Sequence, residues 1–389
     1  MQRRRILGTA KVRAAVSRQI ALNQTTARIV ALAVLTALPA MAQERARPIS
    51  LGAVTGALGH EFISIGSVRE LSDGRVLVTD PSDDAIIVGD FSAGSSRAIR
   101  AVGSGPGEYR SLGMLISLGG DTTLMADASN RRFLTLYGDR ILSTLAPDDP
   151  LVSALGTNLI GGDALSRLLG IRVFASADVT KERRRNGRAV VSIDRESLKV
   201  DTIARIRDTE LSFQSAGPPD QGMFRTATVI MSSPEQAVVF PDGLVAIALQ
   251  EPYRVEWHRP DGRVVRGAPI ERTAPPVDDA EREAWKKRYE AFAGEPWTFP
   301  DDRFPWAEFV PPFSQQALTA LPDGNLLVAR EPWSGGKGNN YDVIDRRGIR
   351  IGTLHLGVSG RVIGAGHGVI YVASIDADGI EHLQRYAWP

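Results

Sequence analysis

Short apolar runs alternate along this chain with polar turns, and the turn keeps the same chemistry. An apolar run meets Asp-Gly or Gly-Asp, a second apolar run follows, and another turn comes about 20 residues later. The phrase reads LSDGRVLVTD at Leu71–Asp80, SLGGDTTLMAD at Ser117–Asp127, VVFPDGLVAIAL at Val238–Leu249 and TALPDGNLLVAR at Thr319–Arg330, with a degenerate copy, GAGHGVIYVAS, at Gly364–Ser374. The runs are rich in Val, Ile and Leu, and Asp-Gly is favoured between them because glycine accepts a positive φ without steric cost. The pattern predicts an all-β chain.

The first turns of the repeat fall near Gly74, Asp121, Gly162, Gly243, Gly324 and Gly366. They are spaced by one or two units of roughly 40 residues, the period of a propeller blade, so six units is the simplest count. The clearest unit runs QAVVF, Pro-Asp-Gly, LVAIALQ, Glu-Pro, YRVEWHR, Pro-Asp-Gly, RVVRGAPI over residues 236–270, which is four strands joined by tight turns. Four antiparallel strands repeated radially make a six-bladed β-propeller. The last unit, residues 361–389, holds only three strands, while a spare strand at about Pro48–Val54 precedes the first. That N-terminal strand is expected to complete the last blade and leave no free sheet edge; an open stack of sandwiches is the alternative.

Around the second unit, GSGPGEY (Gly103–Tyr109) precedes the apolar-Gly-Asp strand pair, and Asp127-Ala-Ser-Asn130-Arg-Arg-Phe133 follows it. This arrangement resembles an NHL-type repeat of the six-bladed, TolB-like propellers, and Asp73–Gly94 echoes it in the first unit. The resemblance implies a six-bladed ring. It leaves the role open, because this fold hosts many functions.

Two segments break the repeat. ALSRLLG at Ala164–Gly170 stands where a clean strand is expected in the third unit, and Asn186-Gly187 further on is a hairpin signal. The second break is an insertion at residues 271–313, between the fourth and fifth units, opened by Pro275-Pro276 and closed by Pro311-Pro312. Within it Asp278 and Asp279 can cap a helix running to Phe292 and ending at Gly294, with Trp285, Tyr289 and Phe292 on one face. Trp297, Phe299, Phe304, Trp306, Phe309 and Phe313 follow closely.

Composition bears on location. Of 389 residues none is cysteine, which rules out disulfides, thiol catalysis and a lipid-modified cysteine anchor. Residues 1–42 carry Arg3, Arg4, Arg5, Lys11, Arg13, Arg18 and Arg28 with no acidic residue, then an apolar Ile29–Leu38 and Ala40-Met41-Ala42. They are expected to be a signal peptide, which places the propeller, residues 43–389, in the periplasm or outside the cell. The apolar core is shorter than the roughly 20 residues a spanning helix needs, and Arg3-Arg4-Arg5 also resembles a twin-arginine signal. Of 46 basic and 45 acidic residues, seven basic ones belong to the leader, so the mature chain has 39 against 45, a net charge of −6. Such a chain lacks the basic footprint of a nucleic-acid binder. No later stretch is apolar enough to span a membrane, and a monomer is expected.

Motifs for chemistry are few. Ser104 lies in Val-Gly-Ser-Gly-Pro, which is not a nucleophile elbow. GSGPGEY lacks the Lys-Ser/Thr and following helix of a phosphate-binding loop and reads as a link between blades. His60, His258, His355, His367 and His382 show no ligand spacing. Asp80 and Asp127 occupy equivalent places in two units, which favours turn capping over metal binding. The run Lys181–Arg188 reads as a solvated hairpin tip, with an anionic polymer or lipid headgroup as the alternative. The insertion is the strongest candidate for binding, through Trp285, Trp297, Trp306 and Phe309, because loops on a rigid ring carry function and aromatic rings give large contact areas. Equally, its aromatic stripe can seal the helix onto the ring.

The sequence therefore points to an exported, non-enzymatic binding or scaffold propeller that takes a peptide, protein or glycan over its central opening, with no cofactor or metal. The alternative is a metal-dependent enzyme of the lactonase or lyase kind. The gluconolactonase-type propellers imply for it a divalent cation in the central tunnel, held by oxygen ligands from several blades.

Overall fold

The computed structural model of the chain describes residues 46–145, 158–174, 183–215, 224–301, 303–336 and 339–389. The expected leader, residues 1–42, lies outside them. Two short strands, β1 (Arg47–Ile49) and β2 (Val54–Ala57), come first. Blade one is β3 (Ser67–Glu70), β4 (Val76–Asp80), β5 (Ala85–Asp90) and β6 (Ser95–Ile99). Blade two is β7 (Leu115–Ser117), β8 (Thr122–Asp127), β9 (Arg132–Tyr137) and β10 (Arg140–Leu145). Blade three is β11 (Leu159–Gly162), β12 (Arg167–Phe174), β13 (Arg183–Asp194), β14 (Val200–Ser215) and β15 (Phe224–Thr228). Blade four is β16 (Gln236–Val239), β17 (Val245–Gln250), β18 (Tyr253–His258) and β19 (Val264–Arg266), after which comes helix α1 (Asp279–Ala293). Blade five is β20 (Leu318–Ala320), β21 (Leu326–Ala329), β22 (Asn339–Ile344) and β23 (Arg350–Leu356). Blade six is β24 (Gly360–Gly366), β25 (Val369–Ile375) and β26 (Glu381–Ala387), completed by β2.

These six sheets form a six-bladed β-propeller. The first strands of successive blades touch one another in turn, and β24 meets β3, so the inner ring is closed. Between each pair of blades lies one apolar cluster, six in all, and a seventh belongs to the insertion. Alternation explains how one strand serves two clusters. In β4, Val76 and Val78 face blade six while Leu77 faces blade two; in β25, Ile370 and Val372 face blade five while Tyr371 and Ala373 face blade one. A strand buried on both faces must read as a continuous apolar run. That is why the repeat is visible in the sequence.

The recurring Asp-Gly is one turn, built between the first two strands at Gly74, Gly243 and Gly324 and once more, between the last two strands of blade four, at Gly262; all four glycines have φ of 83°. The three first turns share their bonds. Each donates its N–H to the carbonyl of Leu71, Phe240 or Leu321, at 2.9–3.0 Å. The preceding Asp73, Asp242 and Asp323 accept the N–H of the residue after the glycine.

Three expectations shift. Closure uses Val54–Ala57 rather than Pro48–Val54: β2 pairs antiparallel with β26, while Arg47–Ile49 adds a parallel fifth strand to blade five through β23. Blade three has a regular second strand, β12, within the segment that looked irregular. Its turn, Asp163–Ser166, hides because Ser166 takes the positive φ (62°) that glycine takes elsewhere. Asn186-Gly187 is a bulge inside β13 rather than a hairpin tip.

Candidate functional site

In an up-and-down blade, the links from strand two to three and from strand four to the next blade leave from the same rim, here called the upper rim. The lower rim holds the tight Asp-Gly turns. The extension of blade three and the insertion both rise from the upper rim, while the Asp163–Ser166 turn lies on the lower one. In blade three, β13 and β14 reach 12 and 16 residues, and β15 pairs with the far part of β14. Between blades four and five stands the insertion.

The insertion is closed at its base. The Val277 N–H donates to the Glu308 carbonyl at 3.0 Å and the Val310 N–H to the Pro275 carbonyl at 2.9 Å. Helix α1 starts as expected, with the Asp278 carboxylate accepting the Glu281 N–H at 2.9 Å, and ends on a left-handed Gly294. The chain after β15 then ties the two breaks together. The Ile230 N–H donates to the Pro305 carbonyl at 2.8 Å, and the Ala307 N–H donates to the Ile230 carbonyl at 2.9 Å. The extended blade three and the insertion thus form one continuous wall above blades three to five. Gln236, the first residue of β16, bonds the Ser314 carbonyl and the Ala317 N–H, fixing where the insertion rejoins the ring.

Trp285, Trp297 and Trp306 come together, chiefly with one another. Trp285 meets Trp297 and Trp306 edge-on, with centroids 5.3 and 5.4 Å apart, and stacks on Tyr289 at 5.5 Å. Trp306 is only 6% exposed, beneath Ile230, Met231, Val277 and Val310. Phe309 stands apart from this stack and is 48% exposed, as Trp333 on the β21–β22 loop is at 40%. Trp333 was missed from sequence; a Pro/Gly-rich link too long for a blade turn was its signal. Upper-rim connections and strand ends also expose Ile63, Met114, Val358 and Ile375.

A charged contact fastens the helix to blade five. Glu281, almost fully buried, accepts the Ser334 N–H at 2.7 Å and Arg288 Nη2 at 3.2 Å, and Arg288 also donates to the Pro332 carbonyl at 3.2 Å. Burial pushes the neighbouring Glu331 carboxyl up to about 7, the attraction of Arg288 lowering it and the Glu281 charge raising it.

Most conspicuous polar residues prove architectural. Asp80 accepts the N–H groups of Ile63, Ser64, Ser82 and Asp83. Asp127 binds Ser111, Asn130 and Arg132, and Arg132 and Asn130 clasp the carbonyls of Gly103, Ser104 and Glu108. Buried Tyr109 donates to the Asp84 and Ile99 carbonyls, so the Gly-rich segment is a link between blades. Of the basic run, Lys181 and Glu182 lie outside the described residues. Arg185 is held by the carbonyls of Asp208 and Ser233, and Arg188 by that of Glu235.

The first strands carry Arg69, Glu70 and Arg361 as their ionisable residues. Arg69 bonds Ser117 and the Gly120 carbonyl, Glu70 accepts the Tyr371 hydroxyl, and Arg361 pairs with Glu381. Among the described residues no group of three or more His, Cys, Asp or Glu is placed to hold a metal ion. No helix among them is long and apolar enough to cross a membrane.

No protein family matches the chain, and no curated protein matches it. Among solved structures it is similar to the calcium-binding protein regucalcin of Agrobacterium tumefaciens, at 11% identity and a TM-score of 0.41 over 88% of this chain and 97% of that one. It is similar to virginiamycin B lyase of Staphylococcus aureus at 9% identity and a TM-score of 0.42, over 85% and 97%. A protein of unknown function from Bacteroides thetaiotaomicron gives 13% and 0.40, over 86% and 72%. The propeller assignment rests on the six sheets themselves.

Proposed function

We propose that this is an exported, non-enzymatic binding propeller that holds a peptide, protein or glycan over its central opening, against the wall formed by blade three and residues 271–313. The observation that carries this reading is the joining of both breaks of the repeat into one structure, on the rim that also exposes Phe309 and Trp333. Exposed apolar groups gathered on one face mark interaction surfaces. In this reading Phe309 touches the ligand, while Trp285, Trp297 and Trp306 hold the wall in shape and lend it an aromatic edge. Asp80, Asp127 and Arg132 serve turns and blade links, and in this reading the task of the rim is contact.

The test is an array of glycans and short peptides probed with the purified protein, followed by titration of each hit against Phe309→Ala and Trp333→Ala. Binding at least tenfold weaker in either variant, with unchanged melting, supports the reading. Hits that bind both variants and Trp297→Ala as well as the parent would sink it.

A further inference from the structure

We propose that the cleft between blades four and five on the lower rim is a binding site in its own right, and that it takes a small organic monocarboxylate with an apolar body. The cleft has a volume of about 300 Å³ and is bounded by turns of both blades. Asp242 and Leu244 come from the β16–β17 turn, Arg259, Pro260 and Asp261 from the β18–β19 turn, and Arg346 from the β22–β23 turn of blade five. Trp257, near the end of β18, completes the wall. Its side chain is 1% exposed and meets Phe240 with ring centroids 5.2 Å apart, yet its indole N–H has no hydrogen-bond partner. Buried N–H groups in native proteins are nearly all bonded, so this one points to an acceptor supplied from outside the chain.

The charges around the cleft select the acceptor. Asp242 and Arg346 neutralise each other at 2.6 Å, and Asp261 is held by Arg263 at 3.3 Å. Arg346 is fixed further by the Gly324 carbonyl at 3.1 Å and lies 5.7 Å from the centre of the Phe240 ring. Arg259 is left over. Its backbone closes the turn with Arg263 and Gly262, but its exposed guanidinium has no hydrogen bond or ion pair among the described residues. One spare cation and one spare N–H donor suit a single carboxylate, which arginine binds through two parallel N–H bonds. A doubly charged phosphate would meet Asp242 and Asp261 with one positive charge to balance it, and like charges at short range repel. Leu244, Pro260 and the Trp257 ring offer the rest of the wall to an apolar body. The volume lies at the lower end of ligand pockets, so the ligand is small. The cleft is on the rim opposite Phe309 and Trp333 and is independent of what they bind.

The chain has six tryptophans, so NMR of the full chain with nitrogen-labelled tryptophan resolves the indole N–H signals, that of Trp257 being the one lost in Trp257→Phe. Titration with benzoate, phenylacetate and hexanoate should move the Trp257 signal downfield and saturate. Arg259→Gln should bind about tenfold or more weakly, because a hydrogen-bonded charge is lost. Arg347→Gln, which alters an exposed lower-rim arginine paired with Asp345, should bind as the parent does. Benzyl alcohol and inorganic phosphate should leave the signal in place. The proposal is overturned by a Trp257 signal that none of the three carboxylates moves saturably at millimolar concentrations. Equal affinity in Arg259→Gln, or phosphate binding as tight as benzoate, overturns it too. Should Trp257→Phe not fold, calorimetric titration of benzoate into the parent and Arg259→Gln decides, since that substitution lies in an exposed turn. A loss of about tenfold supports the site, and equal binding or none in the parent overturns it.

Discussion

Replacing Trp306 and Phe309 by alanine separates what shapes the wall from what faces outward. Trp306 is 6% exposed and packs on Ile230, Met231, Val277 and Val310, with Trp285 5.4 Å away, centroid to centroid. Truncating so large a buried side chain costs about 3–5 kcal/mol, by lost transfer energy and the cavity left behind. Phe309 is 48% exposed, and its pairing with Pro276 is through the backbone, so Phe309→Ala is expected within about 0.5 kcal/mol of the parent. The destination of the Trp306 cost matters as much as its size. The insertion has an apolar cluster separate from the six between blades, so the loss should appear as local opening. Exchange protection should drop in α1 and at residues 305–310, while β4, β17 and β25 keep theirs. The assay is hydrogen exchange read by mass spectrometry, with urea unfolding alongside. Two results would refute the reasoning: unchanged protection of α1 in Trp306→Ala, or a loss spread evenly over all blades. Ligand binding by Trp306→Ala should fail together with the wall, whereas Phe309→Ala should lose affinity with the wall intact.

Other consequences are equally measurable. Asp127→Ala strands the Arg132 guanidinium, itself 9% exposed, and should cost about 3–5 kcal/mol in urea unfolding. The double variant with Arg132→Met should recover at least about 1 kcal/mol of that, and strict additivity would contradict the buried-pair account. Burial pushes the Asp127 carboxyl up, but the bonds from Asn130, the Arg110 N–H and Arg132 outweigh it and hold the group below its ordinary value. Its stabilisation is therefore complete above the ordinary carboxylate value and lost as pH falls through the depressed one, so the gap between parent and Asp127→Asn should close in strong acid. A chain starting at residue 58 lacks β1 and β2 and bares the edges of β23 and β26; it should aggregate or melt early, and a monomer with parental melting would show that closure needs neither strand.

The ring was legible because its restraints are local and repeated. Four glycines at a φ of 83° and strands buried on both faces write themselves into the chain as Asp-Gly and apolar runs. Blade three was obscured where chemistry substituted for the signal, Ser166 standing in for glycine and Asn186-Gly187 serving a bulge. The parallel pairing of Arg47–Ile49 with Gly352–Leu354 joins segments some 300 residues apart and leaves no periodic trace. The site follows the same logic. The helix, its Asp278 cap and its aromatic stripe were local, but what the stripe packs on is partly set by Ile230 and Met231 from the end of another blade. The contact of Glu281 with Ser334 likewise spans 53 residues and has no spacing rule.

That both departures sit on one rim follows from the architecture. The second strands of the blades are filled on both faces by the clusters between blades, so added chain leaves through the connections. On the lower rim those connections are short turns whose bonds recur from blade to blade, as Gly74 to Leu71, Gly243 to Phe240 and Gly324 to Leu321 do. A longer loop there would lose the glycine-closed bond and the aspartate cap that goes with it. On the upper rim the links vary, and length can be added while the inner ring stays closed. Once blade three and the insertion had both lengthened, a single backbone pairing at Ile230 and Trp306 was enough to join them into one surface. Substitutions that weaken the rim ligand without changing melting should therefore cluster on upper-rim residues such as Phe309 and Trp333, while those at the turn glycines Gly74, Gly243 and Gly324 should act through stability alone.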